Sequence, residues 1–146
     1  MPNIAIYNVP SALKLEGDLN ALALEQALNA LIARHESLRT IFPSYTGEAQ
    51  QVVLPELKVY LEENSFNLST LKEKEQKAQL NHLATEEANT SFDLATGPLI
   101  RVKLITLSQR DHVLIITMHR IIFDGWLTGI FFREFSSCYK DYNAGK

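Results

Sequence analysis

The sequence predicts an α/β fold, a two-layer sandwich of helices on a mixed β-sheet. Three observations carry this expectation. Residues 99–107 and 113–118 are rich in Val, Ile and Leu and flank the polar turn Gln109-Arg110-Asp111. Three other stretches, beginning near Leu19, Thr70 and Leu127, place their apolar residues at helical spacing. The chain has 146 residues and is 46% apolar, which suffices for one core, so residues 1–146 are expected to form a single domain.

The elements follow in order. Residues 1–10 carry Pro2 and Pro10 and suit an irregular or sheet-edge segment. Residues 11–16 alternate, with Leu13 and Leu15 on one face and Lys14 and Glu16 on the other, the pattern of a half-buried strand. Gly17-Asp18 ends it, and Asp18 is the candidate cap for a helix over residues 19–36. Leu24, Ala27, Leu28, Leu31, Ile32 and His35 form one face of that helix, and neither Gly nor Pro interrupts it. Ile41-Phe42 suits a short strand, stopped by Pro43 and the turn at Thr46-Gly47. Residues 50–54 and 57–61 suit two more, split by Pro55-Glu56.

Thr70, with Glu73 three residues on, is a candidate capping box for a second helix. Its apolar face is thin: Leu71, Ala78, Leu83, Ala84 and Ala88. The charge run Lys72, Glu73, Lys74, Glu75 and Lys77 suits a solvated face. The helix should fail near Ser91, and Gly97-Pro98 mark the break. Residues 99–107 and 113–118 make a β-hairpin whose second strand is central, since Val113-Leu114-Ile115-Ile116 is apolar on both faces. Leu127, Phe131, Phe135, Cys138, Tyr139 and Tyr142 line a third helix with an aromatic stripe that suits core packing.

Composition narrows the function. At 21% charged residues the chain does not have the make-up of a disordered one. A net charge of −3 leaves no basic surplus for phosphates, so nucleic acid is not an expected partner. Cys138 stands alone, makes no internal disulfide, and suits a buried core position in a reducing compartment. No signal segment and no run of transmembrane length is present, so a soluble cytoplasmic protein, or a piece of one, without membrane contact is expected. His82 and His112 suit surface positions, and no spacing suggests a metal site.

One stretch carries candidate chemistry: Met118-His119-Arg120-Ile121-Ile122-Phe123-Asp124-Gly125-Trp126. An apolar strand delivers a His, an Arg and then an Asp followed by Gly. A His–Asp pair at a strand end is a plausible acid/base site. A polar loop that caps the next helix, with Asp124 accepting backbone N–H bonds, fits the same residues.

A second stretch, Arg34-His35-Glu36-Ser37-Leu38-Arg39-Thr40-Ile41-Phe42, closes the first helix. Together the two resemble core motifs of the condensation domains of nonribosomal peptide synthetases. The first motif, Arg-His-Glu-x-Leu-Arg-Thr-x-Phe, is matched at every fixed position. The second, Met-His-His-x-x-x-Asp-Gly-Trp-Ser, is matched at Met118, His119, Asp124, Gly125 and Trp126. Arg120 replaces the second His and Leu127 replaces the Ser. Asn8-Val9-Pro10 to Gly17, and Ser91-Phe92-Asp93-Leu94 to Leu107, also look typical, so the resemblance covers nearly the whole chain.

The resemblance implies a chloramphenicol-acetyltransferase-like fold of two similar lobes with a tunnel between them. This chain would be most of the N-terminal lobe, lacking the first core motif and the C-terminal lobe. The family joins an acyl or aminoacyl group on one carrier-protein thioester to an amine on a second carrier protein. No cofactor is implied on the domain itself; the substrates ride on carrier-protein phosphopantetheine. The second His of the motif would position or deprotonate the amine, and the Asp would be structural, pairing with an Arg placed here at Arg39.

Arg120 stands where that base belongs. A proton acceptor needs a neutral form near working pH. Imidazole has one; guanidinium, with a pKa of roughly 12 or more, does not. Arg120 also brings positive charge to the site of an arriving ammonium, although it could donate hydrogen bonds to an oxyanion. His119 cannot stand in if strand alternation turns it away from residue 120 and into the interior. His35, on the apolar helix face, suits packing. A relative using His-x-x-x-Asp fails at the same residue, since Arg120 lies four before Asp124. The expectation is a condensation-like lobe unable to condense as it stands. The alternative is a recruitment or docking module for a tailoring enzyme or carrier protein. Neighbouring synthetase domains, and self-association through an exposed lobe face, complete the expected partners.

Overall fold

The computed structural model describes residues 8–45, 47–123 and 130–145. Its centre is a four-stranded mixed sheet. β1 (Asn8–Glu16) pairs antiparallel with β8 (Asp111–His119), which pairs antiparallel with β7 (Ile100–Ser108). β6 (Ser65–Asn67) adds to β7 in parallel. The hairpin expected around Gln109 and Arg110 forms, and β8 is central. Its turn also fixes β1: Gly17 N donates to Arg110 O (2.8 Å), and the Arg110 guanidinium pairs with Asp18 (3.0 Å). Asp18 is therefore not the helix cap. Asn20 takes that role, its Oδ1 accepting from Ala23 N (3.0 Å).

α1 (Ala21–Arg34) and α4 (Ile130–Asn143) cover one face of the sheet. The six expected apolar positions of α1 hold in five cases: Leu24, Ala27, Leu28, Leu31 and Ile32 are buried, whereas His35 lies just past the helix and is half-buried. Phe131, Phe135 and Cys138 of α4 are buried as their spacing predicts. They meet Leu104, Leu114, Ile116 and Met118, the alternate side chains of β7 and β8. α2 (Glu73–Asn89) covers the opposite face, where Leu83 packs with Ile105, Val113 and Ile115. The helices thus lie on a mixed sheet as the sequence predicts, and α2 on the second face adds a third layer to the two expected.

Three local expectations are corrected. The Thr70–Glu73 capping box does not form; α2 begins at Glu73 after Lys72, with no side-chain cap. Instead Gln76 Nε2 donates to Leu68 O (2.9 Å) and Leu107 O (2.8 Å), tying the first turn of α2 to the sheet. Residues 57–61 join no strand ladder, because α1 side chains satisfy their backbone. Asn29 exchanges two hydrogen bonds with Val59, and Glu25 accepts from Leu61 N. His112 is half-buried on β8 and not a surface residue.

The remaining strands are short. β2 (Thr40–Ile41) pairs with β5 (Val52–Val53), and β3 (Ser44–Tyr45) with β4 (Glu48–Ala49). Gly47, at φ +80°, makes the turn that a side chain would disfavour. Among the described residues no helix is long and apolar enough to cross a membrane.

Candidate functional site

The two motif stretches contribute to one core. Leu38 of the first and Met118 and Ile122 of the second are all buried in the cluster beneath α1 and α4. Between them they fix the end of α1 and the end of β8.

At the end of α1, Arg39 works as a helix terminator. Its Nε donates to Ile32 O (3.1 Å) and one terminal nitrogen donates to Ala33 O (3.2 Å), so the last carbonyls of the helix are satisfied. The other terminal nitrogen donates to Leu54 O (2.7 Å), while Leu54 N returns a bond to Arg39 O. The expected partner Asp124 lies outside the described residues, as do Gly125, Trp126 and Leu127. Arg34 and His35 share one carboxylate on α4: Arg34 reaches Glu134 at 3.2 Å and His35 Nε2 reaches it at 3.1 Å. Partial burial acts to raise the Glu134 carboxyl, but hydrogen bonds from His35 and Arg34 hold it below the ordinary value. His35 is thus an ion-pairing boundary residue. Glu134 was not legible as its partner, being about a hundred residues away with nothing in its neighbourhood to mark it.

At the end of β8, alternation decides direction. Thr117 and His119 point to the α2 face and both are buried. Arg120 is exposed and opens a short helical turn, α3 (Arg120–Phe123). His119 Nδ1 accepts from Ile121 N (3.0 Å), so the imidazole caps that turn. The proton of the neutral ring is then on Nε2. Burial holds the His119 pKa below its ordinary value and keeps the ring neutral. His119 thus turns inward as the alternation argument predicts, although the strand stops there and Arg120 already belongs to the turn.

Sequence reasoning missed a charged cluster on the α2 face. Glu87 is 3% exposed and meets Arg101 Nε at 2.9 Å and Lys103 Nζ at 3.0 Å. Arg101 also donates to Glu87 O, Thr90 O and Ser91 O, closing the C-terminus of α2. Burial acts to raise the Glu87 carboxyl; the bonds from Arg101 and Lys103 outweigh it and hold it below the ordinary range. The available signal was Arg101 and Lys103 alternating with Ile100, Val102 and Leu104 in a strand covered on both sides. No group of three or more His, Cys, Asp or Glu that could hold a metal occurs among the described residues.

A family model described as Condensation domain matches residues 1–146. One protein of the linear gramicidin synthase of Brevibacillus parabrevis is 45% identical over 142 residues, 97% of this chain and 3% of that protein. The chain thus spans only a small fraction of that relative's length. The X-domain in its complex with OxyB from teicoplanin biosynthesis is 32% identical with a TM-score of 0.77, over 96% of this chain and 29% of that one. The starter condensation domain of rhizomide synthetase RzmA shares the fold with a TM-score of 0.84 at 19% identity, over 99% of this chain and 36% of that one.

Proposed function

The chain belongs to the condensation-domain family of nonribosomal peptide synthetases, with the chloramphenicol-acetyltransferase-like fold of that family, and from that premise we propose that it is a condensation-like N-terminal lobe that does not catalyse condensation as it stands. One observation carries the reading. The residue after His119 is Arg120, exposed at the end of β8, while His119 is buried on the opposite side with Nδ1 already engaged. Neither side chain can take a proton from an incoming ammonium: guanidinium has no neutral form near pH 7, and the imidazole faces inward. In the family reading His119, Asp124, Gly125 and Trp126 shape the loop, and Arg34, His35 and Arg39 brace it.

The test is a condensation assay with donor and acceptor groups loaded on carrier-protein phosphopantetheine. No amide product above background is expected from the chain alone. Turnover above background would overturn the reading.

A second reading is a recruitment module for a tailoring enzyme or carrier protein. It is favoured by the 32% identity to the X-domain, a protein solved in complex with OxyB. Titration of the chain with OxyB and with loaded carrier proteins, by calorimetry, separates the partners. Saturable binding to either supports the module, and no heat with both removes it. Self-association through exposed apolar residues such as Ile121, 45% exposed beside Arg120, is a further expectation. A monodisperse monomer at high concentration would argue against it.

A further inference from the structure

A continuous set of contacts joins the C-terminus of α2 to the turn that carries Arg120. It begins at Arg101. This guanidinium is held at once by the Glu87 carboxylate (2.9 Å) and by the carbonyl of Thr90 (2.7 Å), so its plane has little freedom. That plane lies over the Phe92 ring, with Cζ 3.8 Å from the centroid. Phe92 in turn meets the His119 ring edge-on, centroids 6.2 Å apart and planes at 72°. The last link is the bond from Ile121 N to His119 Nδ1 (3.0 Å).

The His119 ring has two orientations related by a half-turn about its last side-chain torsion. Only one presents Nδ1 to Ile121 N; the other presents a C–H there. The Ile121 N–H favours the first, and the ring keeps it only while its packing holds it against that donor; Phe92 packs on the ring, with Arg101 over the face of Phe92. We infer that Arg101 is a positioning residue for the turn at Arg120–Phe123, acting through Phe92 to hold His119 as that turn's cap. The role goes beyond the non-condensing reading and does not depend on which side chain stands at position 120. Arginine is required, because only its fork binds a carboxylate and a helix end together while offering a flat face to the ring.

The experiment compares Arg101→Met, Arg101→Lys and Leu83→Ala in the full chain. The readouts are the ¹⁵N resonances of the His119 ring and amide exchange at Ile121 relative to Leu114. In both Arg101 variants His119 should move from a single Nε2–H form to a mixture. Exchange at Ile121 should then rise roughly tenfold or more over that at Leu114. Leu83→Ala loosens the same face without touching the relay and should leave both readouts unchanged. If Arg101→Met does not fold, Phe92→Leu takes its place with the same expectation. Unaltered His119 resonances and Ile121 protection in a folded Arg101 or Phe92 variant would refute the role. So would the same change in Leu83→Ala, which would mark the effect as general loosening.

Discussion

On one face of the central sheet Leu114, Ile116 and Met118 meet α1 and α4 through apolar contact. On the other, Thr117 and His119 share their surroundings with Glu87, Arg101, Lys103 and Phe92. Both sets come from the same strand, β8, one residue out of phase. Apolar burial is non-directional and scales with area, so the first face stabilises the fold without demanding particular angles. A buried ion pair loses hydration and recovers it only in good geometry, so the second face contributes less net stability but constrains direction. The residue at the head of the candidate loop, His119, belongs to the directional face.

Five substitutions press on that contrast. The largest effect is expected from Leu114→Ala, which opens a cavity in the apolar face and should cost about 3–5 kcal/mol in denaturant unfolding. A cost below that of every substitution on the α2 face would reverse the comparison. Glu87→Ala should follow, at about 3 kcal/mol, because it removes the buried carboxylate that Arg101 and Lys103 share.

The next two concern acid. Glu87 is held below the ordinary 4.5, so its contribution is complete above that value and is lost as pH falls through the folded value. Thermal melts of Glu87→Gln should therefore decline less between neutral and acid pH than those of the parent. His119 is also held low, below 6.5. As pH falls through 6.5 the unfolded chain takes the proton first, so stability drops until the folded ring also titrates. His119→Gln should remove that segment of the pH profile; an unchanged slope there would show that the ring is not the source. The smallest effect is expected from Arg120→His, within about 0.5 kcal/mol of the parent, because the side chain is exposed. A larger shift would mean that Arg120 supports the fold.

How much of this was legible divides along the same line. The hairpin, α1 and α4 were readable because apolar periodicity encodes which face is covered. The α2 face was not. Its inward residues include Gln76 and Glu87, which sequence reasoning assigns to solvent by type. β6 escaped because Ser65-Phe66-Asn67 has no strand pattern of its own and exists through its pairing with β7. Residues 57–61 looked like a strand because they are apolar, but Asn29 and Glu25 satisfy their backbone in place of a ladder. Within the site, His119 inward followed from alternation, whereas Arg120 is exposed from the helical turn that begins after the strand. Glu134, which unites Arg34 and His35, could not be read, since pairing across the full core leaves no local trace.

The turn at Gln109 and Arg110, tied to Gly17 and Asp18, also orders events in time. β7 and β8 are neighbours in sequence and can close as soon as both exist. β1 must pair with β8, the later arm of that hairpin. During synthesis β1 therefore emerges about a hundred residues ahead of its sheet partner, and Leu13 and Leu15 lack their neighbours on β8 until Arg110 has emerged to meet Gly17. A chaperone that shields an early amphipathic strand would find its client here, in a segment that the finished molecule shows as an ordinary sheet edge.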